Sequence, residues 1–64
     1  MRKLILDRIK EIHLQEQGFI KSLMKWQNFT LNNVPIWEVD FNTLTDENLI
    51  NTFERIIIRL ARQY

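Results

Sequence analysis

Few side chains in this sequence could take part in acid–base chemistry. His13 is the only histidine, and Glu16 and Gln17 follow it at spacings that share one side of a helix. A general base needs a partner held at hydrogen-bonding distance, and this spacing offers only a local contact. Because His13 follows Ile12 and stands outside the apolar repeat, we interpret it as a partly exposed helical residue without a catalytic role.

Two carboxylate pairs, Asp46-Glu47 and Glu38/Asp40, are the other candidates for catalysis. The first pair stands at the predicted start of a helix, and the second lies on the polar side of an alternating segment. The sequence has no glycine-rich phosphate loop and no Ser-His-Asp order. It has no cysteine, and zinc sites are built mainly from Cys and His. We therefore predict a non-enzymatic protein without a cofactor or metal.

Basic side chains offer a binding chemistry instead. Arg55, Arg59 and Arg62 are spaced by four and three residues, so they share one face of a helix. Such a row could contact phosphates or an acidic protein surface. The net charge of +1 combines a basic first segment, an acidic middle without Lys or Arg, and three arginines near the end.

Aromatic side chains are concentrated near the middle of the chain. In so small a protein they are expected to form the core, and the alternative is that some anchor a partner protein, because Trp and Tyr are enriched at binding hot spots. The candidates for this second role are Trp26, Phe29, Trp37 and Phe41.

The first segment has a helical period. Residues of its apolar seam are spaced alternately by four and three: Ile5, Ile9, Ile12, Glu16, Phe19, Leu23 and Trp26. The seam keeps its phase through Gly18, so we predict one helix over about 2–27, with a break into two helices at Gln17–Gly18 as the alternative. Glu16 within the seam either fixes register or oligomeric state, or lies at an uncovered edge.

The last segment carries start signals of a helix. Thr45 is a good N-cap, Leu44 and Leu49 occupy hydrophobic-staple positions, and Asp46-Glu47 put negative charge at the positive end of the helix dipole. The pattern predicts a helix over about 45–62.

The connection over 28–44 is too apolar for a solvated linker. Trp37, Val39 and Phe41 alternate with acidic residues, which is typical of a strand. Asn32-Asn33 predicts a turn, with a hairpin that pairs 29–31 with 36–39. The connection therefore holds a short strand pair or a helical turn.

Together these elements predict one small, mainly α domain over 1–64, with the N- and C-terminal helices packed antiparallel. That packing places the end of the second helix beside the start of the first. A single basic pole would then gather Arg2, Lys3, Arg8, Lys10, Arg55, Arg59 and Arg62.

No apolar run approaches the length of a membrane span, and charged residues interrupt the N-terminal apolar stretch. We therefore expect a soluble cytoplasmic protein without a targeting signal. The Asn-, Ile- and Lys-rich composition resembles that of accessory proteins of phages or mobile elements, without a motif behind the resemblance.

The small size limits the core that the chain can form, since below about 70–80 residues one core rarely supplies more than ~3–5 kcal/mol. The leading hypothesis is a small regulator or inhibitor that binds a larger protein or itself. The alternative is a nucleic-acid-binding regulator that uses the basic pole.

Overall fold

The computed structural model describes residues 1–20 and 23–62. Within these residues the chain forms three α-helices, a strand pair and two 3-10 turns, in the order α1 (Arg2–Gln15), α2 (Leu23–Trp26), β1 (Thr30–Leu31), β2 (Val34–Pro35), 3-10 turns at Ile36–Glu38 and Phe41–Thr43, and α3 (Asp46–Ala61). This confirms a mainly α chain with a long N-terminal helix, a C-terminal helix and a short strand pair between them.

The N-terminal helix ends earlier than predicted. α1 stops at Gln15, so the single helix over 2–27 is wrong and the alternative break at Gln17–Gly18 is confirmed. The N–H of Gln17 donates to the carbonyl of Leu14 at 3.2 Å, and the N–H of Gly18 donates to that of His13 at 2.7 Å. These two bonds are those of a Schellman motif, which closes a helix and reverses the chain.

The turn after α1 passes through three consecutive residues with positive φ. Gln17, Gly18 and Phe19 have φ of 49°, 77° and 64°, a region that is strained for residues other than glycine. The reversal carries Phe19 into the core, where its side chain is fully buried and its ring meets those of His13 and Trp26 edge-on. Burial of Phe19 therefore stabilises a turn that the backbone alone disfavours.

The C-terminal helix follows its sequence signals. The Thr45 hydroxyl accepts a hydrogen bond from the N–H of Asn48 at 3.2 Å, and α3 spans Asp46–Ala61, within a residue of the predicted bounds. Leu49 is buried, and Leu44 is partly buried against the same core. The predicted cap and staple therefore both stand where the helix begins.

The connection contains a hairpin with a register different from the one predicted. Leu31 pairs with Val34, and Asn32 and Asn33 both have positive φ, as a two-residue type I′ turn requires. Since loop length fixes register, the partner strand is Val34–Pro35 and not 36–39. The strand predicted from the alternation around Trp37 is wrong, because Ile36–Glu38 forms a 3-10 turn.

The core lies between α1, α3 and the connection. Among the residues that the structure describes, eight apolar side chains are buried in it: Ile9, Ile12, Phe19, Trp26, Phe29, Ile36, Leu49 and Ile56. No helix in the described ranges is long and apolar enough to cross a bilayer.

The start of α1 lies beside the start of α3. Arg2 Nη1 donates to Asp46 Oδ1, and Arg2 Nη2 donates to the carbonyl of Asn42, both at 2.8 Å. Antiparallel packing predicted a contact between the end of α3 and the start of α1, and this prediction is wrong. The reason is that the connection runs back along α1: residues 39–42 line a cleft with Leu6 and Asp7, so α3 begins where α1 begins.

Candidate interaction surface

Two of the four aromatic candidates for partner binding lie in the core. Trp26 and Phe29 are 0 % and 1 % exposed, and their ring centroids are 5.7 Å apart. The indole Nε1 of Trp26 donates to Glu16 Oε1 at 2.8 Å. A partner cannot reach these rings in this fold, so their assignment as partner anchors is corrected.

Trp37 and Phe41 do reach the surface. Trp37 is 37 % exposed. Phe41 is half-buried and lines a cleft of about 290 Å³ between α1 and residues 39–42. The same cleft contains Asp7, Lys10 and Asp40, so its lining is mixed in polarity and in sign of charge. The two aromatic residues thus remain candidates for contact with a partner.

Glu16 and His13 have structural partners around the end of α1. The Glu16 side chain is 18 % exposed and lies 3.7 Å from Lys25 Nζ, in addition to its bond from Trp26. Glu16 therefore fastens α2 to the end of α1, which agrees with an edge position in the seam. His13 is half-buried with its ring 5.1 Å from that of Phe19.

The predicted basic pole is not assembled. Arg2 is bound to Asp46, at the start of α3, whereas Arg59 stands 13 residues further along that helix, about 20 Å at 1.5 Å per residue. Arg8 pairs with Glu11 on the exposed side of α1 at 2.8 Å. The basic residues of the two chain ends therefore occupy separate regions, since the helices do not bring those ends together.

The basic residues of α1 that remain are exposed. Lys3 is exposed on the helix, and Lys10 is an exposed residue at the cleft beside Phe41. Neither side chain forms a hydrogen bond or an ion pair in the described part of the chain. They add positive charge to α1 alone.

The arginines of α3 hold the middle of the chain against that helix. Arg55 Nη1 donates to the carbonyl of Thr30 at 3.2 Å, and Arg59 Nη1 donates to those of Lys25 and Gln27 at 3.1 and 3.4 Å. Both guanidinium groups also lie over the Phe29 ring, 4.6 and 5.1 Å from its centroid. Cation–π contact and carbonyl bonds thus give two of the three arginines a structural role.

Arg62 completes a shallow depression on this face. We call the arginine patch the set Arg55, Arg59 and Arg62 together with Ile58, which line a depression of about 180 Å³ over Phe29. Arg62 is exposed, and Ile58 is 58 % exposed. The patch is therefore an open basic surface with an apolar residue within it.

A second surface on α3 was not singled out from the sequence. Ile50 and Ile57 are 36 % and 39 % exposed, and half-buried Phe53 lies between them at spacings of three and four, on the same side of the helix. We call these three residues the isoleucine row. The width of the apolar arc on α3 was the signal, because one helix packed against α3 cannot cover all of it.

Within residues 1–20 and 23–62, no group of three or more His, Asp or Glu side chains could hold a metal ion. Comparison of the chain with protein family models, with curated proteins and with solved structures gives no match. The surfaces described above are therefore the basis for a functional proposal.

Proposed function

We propose that this chain is a small, non-enzymatic regulatory or inhibitory protein that acts by binding a larger protein. The isoleucine row carries this proposal. Ile50 and Ile57 stand two turns apart on one face of α3 and keep over a third of their surface in water. Exposed apolar surface of this kind marks protein-interaction sites when it is contiguous.

The spacing of the row fits a recognised mode of binding. An amphipathic helix docks into a groove through anchors at i, i+3 and i+7, which are the spacings of Ile50, Phe53 and Ile57. The small core adds a reason for a partner, because a chain of this length gains stability from whatever covers its exposed apolar residues. We propose that this row binds in a groove on a larger protein.

Affinity capture from a cell lysate tests the proposal with matched variants. The immobilised wild-type protein is expected to retain a specific protein, and Ile57→Glu is expected to lose it. Leu4→Glu is the control, because Leu4 is 73 % exposed on α1 and lies outside the row. Nuclease treatment of the lysate should not change the result, and circular dichroism should show that both variants fold.

Two outcomes would contradict the proposal. One is equal capture by wild type, Ile57→Glu and Leu4→Glu, which would show that the row does not contact the partner. The other is a stable assembly of the purified chain alone, measured by analytical ultracentrifugation and broken by Ile57→Glu, since the row would then be covered by a second copy.

A nucleic-acid-binding regulator is the second candidate function, and the arginine patch is the surface that it would use. Phosphates bind guanidinium groups well, and such binding falls with rising salt. The separation of Arg2 from Arg59 along α3 removes part of the basic surface on which this candidate was based. It predicts a gel shift with DNA or RNA at low salt that weakens when Arg55, Arg59 and Arg62 are replaced by Gln.

A further inference from the structure

The arginine patch carries more positive charge than its internal contacts use. A guanidinium group has five N–H donors, and the bonds of Arg55 and Arg59 to backbone carbonyls involve only Nη1 of each. Among the described residues, none of Arg55, Arg59 and Arg62 forms an ion pair with a carboxylate. Three positive charges on one helix face are thus left without a countercharge from the described chain.

Two of these groups are held in place before any ligand arrives. Arg55 and Arg59 lie over the ring of one buried phenylalanine and are also tied to backbone carbonyls. Two fixed cations repel each other, and an anion between them relieves that repulsion. Because the side chains are already ordered, binding an anion loses little of their conformational freedom.

The composition of the depression favours a polypeptide over a nucleic acid. Ile58 is 58 % exposed and lines the depression with the arginines, so a ligand there meets an apolar group as well as cations. Single-stranded nucleic acids are bound by aromatic rings on which bases stack, whereas Phe29 is 1 % exposed. The net charge of +1 is also low for a nucleic-acid-binding chain.

We propose that the arginine patch binds an acidic segment of a partner protein, with carboxylates on the arginines and an apolar side chain on Ile58. Arg59 stands about 6 Å beyond Arg55 along α3, and Arg62 is the residue that follows the end of this helix. Acidic residues spaced by four and three on a partner helix would face these three arginines. The inference rests on the proposed function, since it names the chemistry of one part of a protein partner.

Fluorescence anisotropy of a labelled peptide tests this with the full chain. The probe is a synthetic helical peptide with three Glu spaced by four and three residues and a Leu among them, and its control has Gln in place of each Glu. At low salt the acidic peptide is expected to bind at least about tenfold more tightly than the Gln peptide. Raising the salt concentration should weaken binding of the acidic peptide and leave the affinity of the Gln peptide unchanged.

Arg62→Glu is the most informative variant, because the Arg62 side chain makes no hydrogen bond or ion pair within the described chain. It is expected to weaken binding of the acidic peptide about fivefold, since it replaces an attraction by a repulsion. Arg8→Glu is the matched control with the same change of charge on α1, and it should change the affinity less than twofold. Ile58→Ser should weaken the acidic and Gln peptides by the same factor.

Three results would overturn the inference: no binding of the acidic peptide at low salt, equal binding of both peptides, or tighter binding of an oligonucleotide of equal charge. The last would assign the patch to nucleic acid. Ile57→Glu separates this inference from the proposed function, since it should abolish capture of the partner while leaving peptide affinity unchanged. Loss of peptide binding with intact capture would leave the proposed function standing.

Discussion

At the start of α3 a threonine hydroxyl accepts a hydrogen bond from the first turn of its own helix, while at the end of α1 the chain turns through three residues with positive φ. Thr45 acts on a residue three positions away. Phe19 instead stabilises the end of α1 by packing against rings from other parts of the chain, such as that of Trp26. The difference shows that one helix boundary is set by local residues and the other by the core.

Removing the core contact of the turn should have the largest effect. Phe19→Ala deletes a fully buried ring, which costs about 3–5 kcal/mol. This is comparable to the whole stability expected of so small a core, so the variant should be unfolded in water. Urea denaturation followed by circular dichroism measures it, with Ile20→Ala as the control because Ile20 is 50 % exposed. A cooperative transition at the wild-type midpoint would contradict a core-determined boundary.

Gly18→Ala tests the backbone conformation of the same turn. A Cβ at this position would lie 3.6 Å from His13 Cε1, an ordinary contact, so any loss comes from the φ of +77° and not from a clash. We expect a loss of about 1–2 kcal/mol in the free energy of unfolding. If Gly18→Ala is as stable as wild type, the turn is not strained in the way that its φ implies.

Thr45→Ala tests the local boundary of α3. Loss of the hydroxyl that accepts from Asn48 is expected to lower the free energy of unfolding by about 1 kcal/mol. Thr45→Ser keeps an acceptor and should remain close to wild type. A larger loss in Thr45→Ser than in Thr45→Ala would mean that the methyl group, and not the hydrogen bond, is what matters.

Gln17→Gly should have the smallest effect and the opposite sign. Gln17 occupies the position of the Schellman motif at which glycine is preferred, with φ of 49°. Relief of the left-handed strain is partly offset by the greater freedom of glycine in the unfolded chain, so we expect a gain of about 0.5–1 kcal/mol. Thermal denaturation measures this gain. A decrease in the midpoint would show that the Gln17 side chain makes a contact that stabilises the fold more than relief of the strain does.

The apolar repeat predicted burial better than it predicted conformation. Phe19 and Trp26 lie in the core as the spacing of four and three indicated, although α1 ends before either residue. A repeat records which residues face inward, and a turn can satisfy it as well as a helix. The sequence did not indicate the end of α1, because Gly18 stands one residue after Gln17, the position at which helices usually place glycine.

The surface was less predictable than the core. The apolar repeat ends at Trp26, which is buried, and says nothing of Trp37, which is exposed. The position of Trp37 depends on how the connection folds back along α1. The same folding separates Arg2 from Arg59. Helix periodicity did bring Arg55, Arg59 and Arg62 to one surface, since that requires only α3 and the residue that follows its end.

The contrast between the two tryptophans gives the protein an intrinsic pair of optical reporters. Trp26 is sealed from water with its indole N–H on the Glu16 carboxylate, whereas Trp37 is 37 % exposed. Acrylamide should therefore quench Trp37 and spare Trp26, and Trp37→Phe should leave a blue-shifted, unquenched emission. Occupancy of the connection by a partner and loss of the folded core can then be followed separately by fluorescence, without a label.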